Sequence, residues 1–168
     1  MDSTPRLGSY NYRFGLIAAA IGIMFSLMLY FMDMMYNQSS AIQAINVLIP
    51  TVLSILAILT FKKDNYGLLS VKQSVKISVG VFLVSGIIGL IYFAFFINII
   101  EPDFISNTAK MQADKLLEMQ PELDDDFIQS QQENTEKFFY ISFPFILIIN
   151  IIIGVVVGFV TGLFVKKN

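Results

Sequence analysis

Four long stretches of the chain contain almost no charged residue, and they limit the possible folds more than any other feature. They cover residues 14–36, 42–61, 75–100 and 138–165. Each approaches or exceeds the roughly 20 apolar residues that a helix needs to cross a bilayer. We therefore predict an all-α fold, an integral membrane bundle of four transmembrane helices that forms a single domain over residues 1–168.

The composition supports a bilayer as the surroundings of this chain. Of its 168 residues, 55% are hydrophobic and only 14% are charged, whereas a soluble domain carries about 25% charged residues. A soluble bundle of four such helices would have too little polar surface to cover them. The lipid bilayer is thus the first expected partner.

The basic residues predict an orientation for these helices. They lie before the first stretch, around the connection between the second and third, and after the fourth, as Arg6, Arg13, Lys62, Lys63, Lys72, Lys76, Lys166 and Lys167. Basic residues near the ends of spans stay in the cytoplasm. We therefore expect both termini and the 62–74 connection to be cytoplasmic.

The connection 101–137 is acidic and should lie outside the cytoplasm. It holds ten acidic residues but only Lys110, Lys115 and Lys137. Pro102 opens it and Pro121 interrupts it, and proline suits a first helical turn but breaks a helix interior. This pattern predicts a short extracytoplasmic segment of two helices, near 103–119 and 122–137. The second could continue into the fourth apolar stretch.

Small residues recur at four-residue spacing inside the apolar stretches. Such residues form a flat helix face and allow two backbones to approach closely. We expect this face either to pack inside the bundle or to contact a second copy or another membrane protein. The candidates are Ala18, Gly22, Ser26, Ser85, Gly89, Gly154, Gly158 and Gly162.

Four polar side chains interrupt the apolar stretches, namely Asp33, Asn46, Asn98 and Asn150. Asp33 is the one acid among them and lies about a turn from the predicted outer end, where it either reaches the headgroups or serves an ion pathway. Asn46 and Asn98 are expected near the same side and could form a small polar cluster with it. Asn150 lies closer to the midplane and should bond another helix or bind a ligand.

The sequence predicts no catalytic, cofactor-binding or metal site. The chain contains no Cys and no His, which removes thiolate nucleophiles, the usual neutral-pH base and the commonest transition-metal ligand. The run 124–126 of three aspartates is better read as the solvated first turn of a helix. Basic residues are too few for nucleic acid to be a partner, and an enzyme is not expected.

Several motifs resemble those of a bacterial four-helix family known as domain of unknown function 4199, of the Bacteroidetes type. The similar residues are Asn65-Tyr66-Gly67, the run 71–76, Gly80, the run 100–104, and a glycine-repeated last helix that ends in Lys166-Lys167. The resemblance spans nearly the whole chain. It implies a multi-pass protein of the bacterial inner membrane, and it implies no activity.

Three functional hypotheses follow. The first is a non-enzymatic scaffold or accessory subunit of a membrane complex, with a homo-oligomer or another membrane protein as partner. The second is a small transporter or channel subunit with a polar path formed by Asp33, Asn46 and Asn98. The third, an enzyme acting on a lipid-linked substrate, has only Glu101 and Asp103 to support it.

Overall fold

The structure is a computed structural model that describes residues 5–36 and 39–166. Its helices are α1 (Leu7–Phe31), α2 (Ser40–Asp64), α3 (Val71–Phe95), a π-helix (Phe96–Ile100), α4 (Phe104–Met119), α5 (Asp125–Phe138), a 3₁₀ turn (Phe139–Ile141) and α6 (Ser142–Val165). Within these residues, four helical stretches are long and apolar enough to cross a membrane. The prediction of an all-helical membrane protein with four such helices is confirmed at this level.

The first helix is displaced along the sequence from its predicted span of 14–36. It begins at Leu7 and therefore includes the polar residues Asn11 and Arg13, which lie before the apolar stretch. It ends at Phe31, so Asp33 lies beyond it and not inside an apolar helix as we predicted. Counting apolar residues locates a membrane segment, but it does not locate the ends of the helix.

The end of α1 is a Schellman motif with Asp33 at its left-handed position. The Met34 amide donates to the Leu29 carbonyl (2.8 Å) and the Asp33 amide donates to that of Tyr30 (3.1 Å). This pattern requires a positive φ at the residue after the cap, and Asp33 has φ 54°. Short polar residues adopt that conformation more readily than most others, which gives Asp33 a structural role.

The turn between α2 and α3 is also held by capping contacts. The Gly67 amide donates to the Lys62 carbonyl (2.8 Å), while Tyr66 and Gly67 have positive φ. At the start of α3, the Ser70 amide donates to Gln73 Oε1 (2.9 Å) and the Gln73 amide donates to Ser70 Oγ (3.2 Å). This reciprocal pair is a capping box, which the Ser-x-x-Gln spacing could have predicted.

The remaining boundaries agree with the expected elements to within a few residues. The helices of the acidic connection are α4 and α5, and α5 continues through the 3₁₀ turn into α6. Residues Asp125–Val165 thus form a helical stretch of 41 residues, whereas about 20 suffice to cross a bilayer.

The helices group into two compact units. The first, here called the four-helix unit, comprises residues up to Gly89 together with those from Ile146 onward. Its hydrophobic core contains Phe14 of α1, a group on α2 and α3, and Leu69 of the turn between them; the α2 and α3 members are Ala57, Ile58, Phe61, Ile77 and Val81. Leu7, Tyr10, Leu53 and Val165 pack against this core.

The second unit, here called the hairpin unit, covers Leu90–Phe145. Its interior is an aromatic cluster in which Phe104 packs against Phe93, Phe96 and Phe139 with ring centroids 5.4, 6.2 and 6.3 Å apart. Phe143 joins the cluster beside Phe93. Between α4 and α5 the buried side chains are small on α4, where they include Ala109 and Ala113, and the buried residue of α5 is Ile128.

Candidate functional site

Four helix ends meet at one end of the four-helix unit. Tyr10, near the start of α1, donates a hydrogen bond to Asp64 Oδ2 at the end of α2 (2.7 Å). Its ring packs edge-on against Phe61, with centroids 5.3 Å apart. Val165, at the end of α6, packs on the core cluster that includes Phe61 and Leu69. The starts of α1 and α3 therefore lie beside the ends of α2 and α6.

This common end, here called the basic end, carries a concentration of positive charge. Its basic side chains are Arg6, Arg13, Lys62, Lys63, Lys72, Lys76 and Lys166, and the acid among the residues described there is Asp64, which accepts the Tyr10 hydrogen bond. Lys167 lies outside the described residues. The basic residues from which orientation was predicted are thus brought to one end of the unit.

A groove between α1 and α3 starts at the basic end and is here called the α1–α3 groove. It has a volume of about 500 Å³ and is lined by Leu7, Asn11, Val75, Lys76, Val79, Gly80 and Leu83. Gly80 leaves space that the Asn11 side chain fills, since a Cβ at Gly80 would overlap the Asn11 amide. Asn11 Oδ1 is buried and has no hydrogen-bond partner among the described residues.

The three glycines of α6 pack directly on the backbone of α3. A Cβ on Gly158 would lie 2.7 Å from Val75 Cα and 2.8 Å from the Ser74 carbonyl oxygen, and one on Gly154 would lie 2.9 Å from Val79 Cα. A Cβ on Gly162 would lie 3.0 Å from Ser74 Cβ. In this chain, α3 therefore occupies the glycine face of α6, defined by Gly154, Gly158 and Gly162.

The other small residues that we singled out divide into two groups. Ala18 is buried, while Ser26 is half-buried and so is Ser85, whose hydroxyl donates to the Phe82 carbonyl (3.2 Å). Gly22 and Gly89 have open space where a Cβ would be. Four-residue spacing therefore finds small residues, but it does not say which of them face another helix.

Three close contacts were missed by the sequence argument. Gly15 packs on Val84, Gly80 on Asn11, and Gly86 on Asn150 and Leu147. The Gly15–Ala19 pair has the same four-residue spacing and could have been recognised, whereas Gly80 and Gly86 have no such spacing between them. Asn150 thus lies against α3, at a position where the neighbouring helix has no side chain.

The polar residues proposed for a transport path have different surroundings. Asp33 is exposed in the turn after α1, and Asn46 is exposed on α2; both belong to the four-helix unit. Asn98 belongs to the hairpin unit, where its Nδ2 donates to the Ala94 carbonyl (2.7 Å) and its Oδ1 accepts from the Tyr140 hydroxyl (3.4 Å). Asp33 follows α1, so this acid is not part of that helix as the transport hypothesis assumed.

The turn between α4 and α5 exposes apolar side chains among carboxylates. Met119 is 79% exposed and Phe127 is 44% exposed on either side of this turn. A groove of about 460 Å³ is lined by Gln120, Pro121, Glu122 and Leu123. The residues 118–127 are here called the hairpin tip, and their acids, all exposed, are Glu118, Glu122, Asp124, Asp125 and Asp126.

Comparison with known proteins assigns the chain to a family. The family model described as "Protein of unknown function (DUF4199)" matches residues 13–167, nearly the whole chain. No curated protein and no solved structure matches it. Across the described residues, no three His, Cys, Asp or Glu side chains are grouped so that they could hold a metal ion. The chain belongs to the DUF4199 family.

Proposed function

We propose that this DUF4199 protein is a non-enzymatic, multi-pass protein of a bacterial inner membrane that serves as a scaffold or accessory subunit of a membrane complex. The four-helix unit anchors the chain in lipid, and the hairpin unit presents a binding surface outside the cytoplasm. The hairpin tip is the part that contacts the partner.

The membrane placement is supported by the distribution of charge. The basic end gathers the lysines of the 62–74 connection with Arg6 and Arg13 of the first helix region and Lys166 after α6, and such residues remain cytoplasmic. The acidic hairpin then faces the opposite side. Both termini are cytoplasmic in this arrangement.

The single observation that carries the scaffold function is the composition of the hairpin tip. Met119 and Phe127 are exposed on a segment that also carries five exposed carboxylates. Apolar side chains with a polar rim are typical of protein interaction sites, and methionine and phenylalanine are enriched in interface cores. The surrounding carboxylates favour a partner with a basic surface.

Site-specific photocrosslinking in intact cells tests this function. A photoreactive residue replaces Met119 in one variant and Lys110 in a matched control; both side chains are exposed and both lie on α4. We expect the Met119 variant to crosslink one discrete membrane or periplasmic protein, and the Lys110 variant to give at most a weak band.

The orientation is tested in the same cells. A cysteine introduced at residue 119 should react with a membrane-impermeant maleimide added outside, after the outer membrane is permeabilised, whereas one introduced at residue 63 should not. Labelling only at residue 63 would refute the orientation. Correct labelling with no crosslinked partner at residue 119 would refute the scaffold function while leaving the orientation intact.

A further inference from the structure

We infer that the α1–α3 groove is a binding site for one anionic phospholipid, whose phosphate is held by Lys76, with Lys72 one turn before it on the same face of α3, and whose acyl chain lies along Val79 and Leu83. This site is separate from the hairpin tip and does not depend on the scaffold function.

The groove has the size and lining of a ligand site. Its volume of about 500 Å³ lies within the roughly 300–1,000 Å³ of ligand pockets, which are mostly apolar with a few placed polar groups. Here five lining residues are aliphatic or glycine, and the polar groups are Asn11 and Lys76. A purely structural seam between two helices would be filled by their own side chains.

The polarity of the groove changes along its length in the order of a phospholipid. Lys76 lines the groove together with Leu7 of α1, and Lys72 lies four residues before Lys76 on the same face of α3. One turn deeper lie Asn11 and Gly80, which are in contact. Val79 lies beside Gly80 and Leu83 lies about one turn beyond it, and both add only aliphatic surface. The groove therefore presents a positive charge, then an amide, then aliphatic side chains, in the same order as the phosphate, ester and acyl chain of a phospholipid.

The two lysines have no anionic partner in the described part of the chain. Both are exposed, and no ion pair joins either of them to a carboxylate among the residues that the structure describes. Asp64, the acid of the basic end, accepts from Tyr10. Two like charges at this spacing repel each other, so a phosphate between them would stabilise this turn of α3.

A lipid fits the groove better than a protein helix does. The groove opens on the flank of the unit, beside a cationic end that lies at the depth of the headgroups. Basic pockets between transmembrane helices are recognised sites for anionic headgroups. A partner helix would need to bring its own acid to the membrane interface to match Lys76, whereas an anionic lipid is already there.

Native mass spectrometry of the full chain tests the site. The protein is reconstituted in nanodiscs of equal phosphatidylglycerol and phosphatidylethanolamine, released, and examined for bound lipid. We expect one retained phosphatidylglycerol in the wild type. Lys76→Gln should lower the ratio of retained phosphatidylglycerol to phosphatidylethanolamine about fivefold, the effect of roughly one basic residue near an anionic headgroup. Lys76→Arg should restore it.

The matched control is Lys63→Gln, which removes one charge from the same end but does not line the groove. It should leave the ratio unchanged. An equal loss in both glutamine variants would show general attraction to the basic end and would overturn the site. The site would also be overturned if the wild type retained no lipid. It would likewise be overturned if glycerol phosphate displaced the bound lipid at an equal concentration, because the acyl chain would then contribute nothing to binding. Retention of a protein in place of lipid would identify a partner helix.

Discussion

The helices inside the four-helix unit and those inside the hairpin unit are held together by different kinds of contact. In the four-helix unit, α6 lies on α3 through glycines, so that backbone meets backbone. In the hairpin unit, the interior is built from the large rings around Phe104. Between helices in lipid there is little hydrophobic drive, and close packing supplies the attraction. In the hairpin unit, contacts between large aromatic rings supply it instead.

This difference predicts opposite sensitivities. The α3–α6 contact should be harmed by added atoms, because no space exists for them. The aromatic cluster should be harmed by removed atoms, because its stability depends on the volume of its rings. The predictions below test that contrast.

The largest effect is expected from truncation of the cluster at its centre. Phe104 is 9% exposed and contacts three other rings, so Phe104→Ala leaves a cavity. We expect the free energy of unfolding of the hairpin unit to fall by about 3 kcal/mol, which is in the lower part of the range for truncation of a buried phenylalanine. This lower stability should accelerate amide hydrogen exchange in α4 and α5 on the order of 100-fold.

Phe127→Ala is the matched control, since it removes the same ring from an exposed position of the same unit. Its effect on exchange should be small. Equal acceleration in the two variants would mean that the aromatic cluster does not hold the hairpin unit together, and the contrast between the units would fail.

An added methyl group tests the four-helix unit. Gly158→Ala places a carbon 2.7 Å from Val75 Cα, and because that atom belongs to the α3 backbone, it cannot rotate away. A group added to such a filled contact lowers the free energy of unfolding by about 1–3 kcal/mol. Thermal unfolding in detergent should show a lower midpoint, and Gly154→Ala and Gly162→Ala should have smaller effects, in keeping with their longer closest distances of 2.9 and 3.0 Å.

Gly22→Ala provides the control for this series. A Cβ there meets open space, and alanine favours a helix over glycine, so the midpoint should stay the same or rise. A fall comparable to that of Gly158→Ala would show that contact with lipid, and not the α3–α6 distance, determines the response to a methyl group.

The sequence alone predicts the membrane helices well, because their length and lack of charge follow directly from the thickness of the bilayer. It also predicts the two helices between Pro102 and the last span, since Pro121 separates them. It could not distinguish Gly158 from Gly22, because both have small neighbours at four residues and only the rotation of each helix decides which one faces a partner.

The candidate sites were harder to predict for a similar reason. The groove requires Asn11 and Gly80 to meet across two helices, and no spacing within one helix encodes such a meeting. Asp33 was misplaced because a helix end depends on backbone conformation, here a positive φ, and not on hydropathy. The basic end, by contrast, follows from the positions of the lysines and from the even number of spans.

The smallest effect is expected for the hydrogen bond from Tyr140 to Asn98. At 3.4 Å it is near the upper limit for a hydrogen bond, and both side chains are exposed. Tyr140→Phe removes the hydroxyl but keeps the ring packed on Phe143, with centroids 5.5 Å apart. We expect the free energy of unfolding of the hairpin unit to change by about 0.5 kcal/mol or less. The amide hydrogen-exchange rates of the π-helix 96–100 should then change by at most about twofold. Asn98 retains its bond to the Ala94 carbonyl, so the π-helix should persist. A tenfold or larger acceleration would show that a single polar contact matters as much in the hairpin unit as the rings do, and it would restrict the contrast between the two units to the α3–α6 contact.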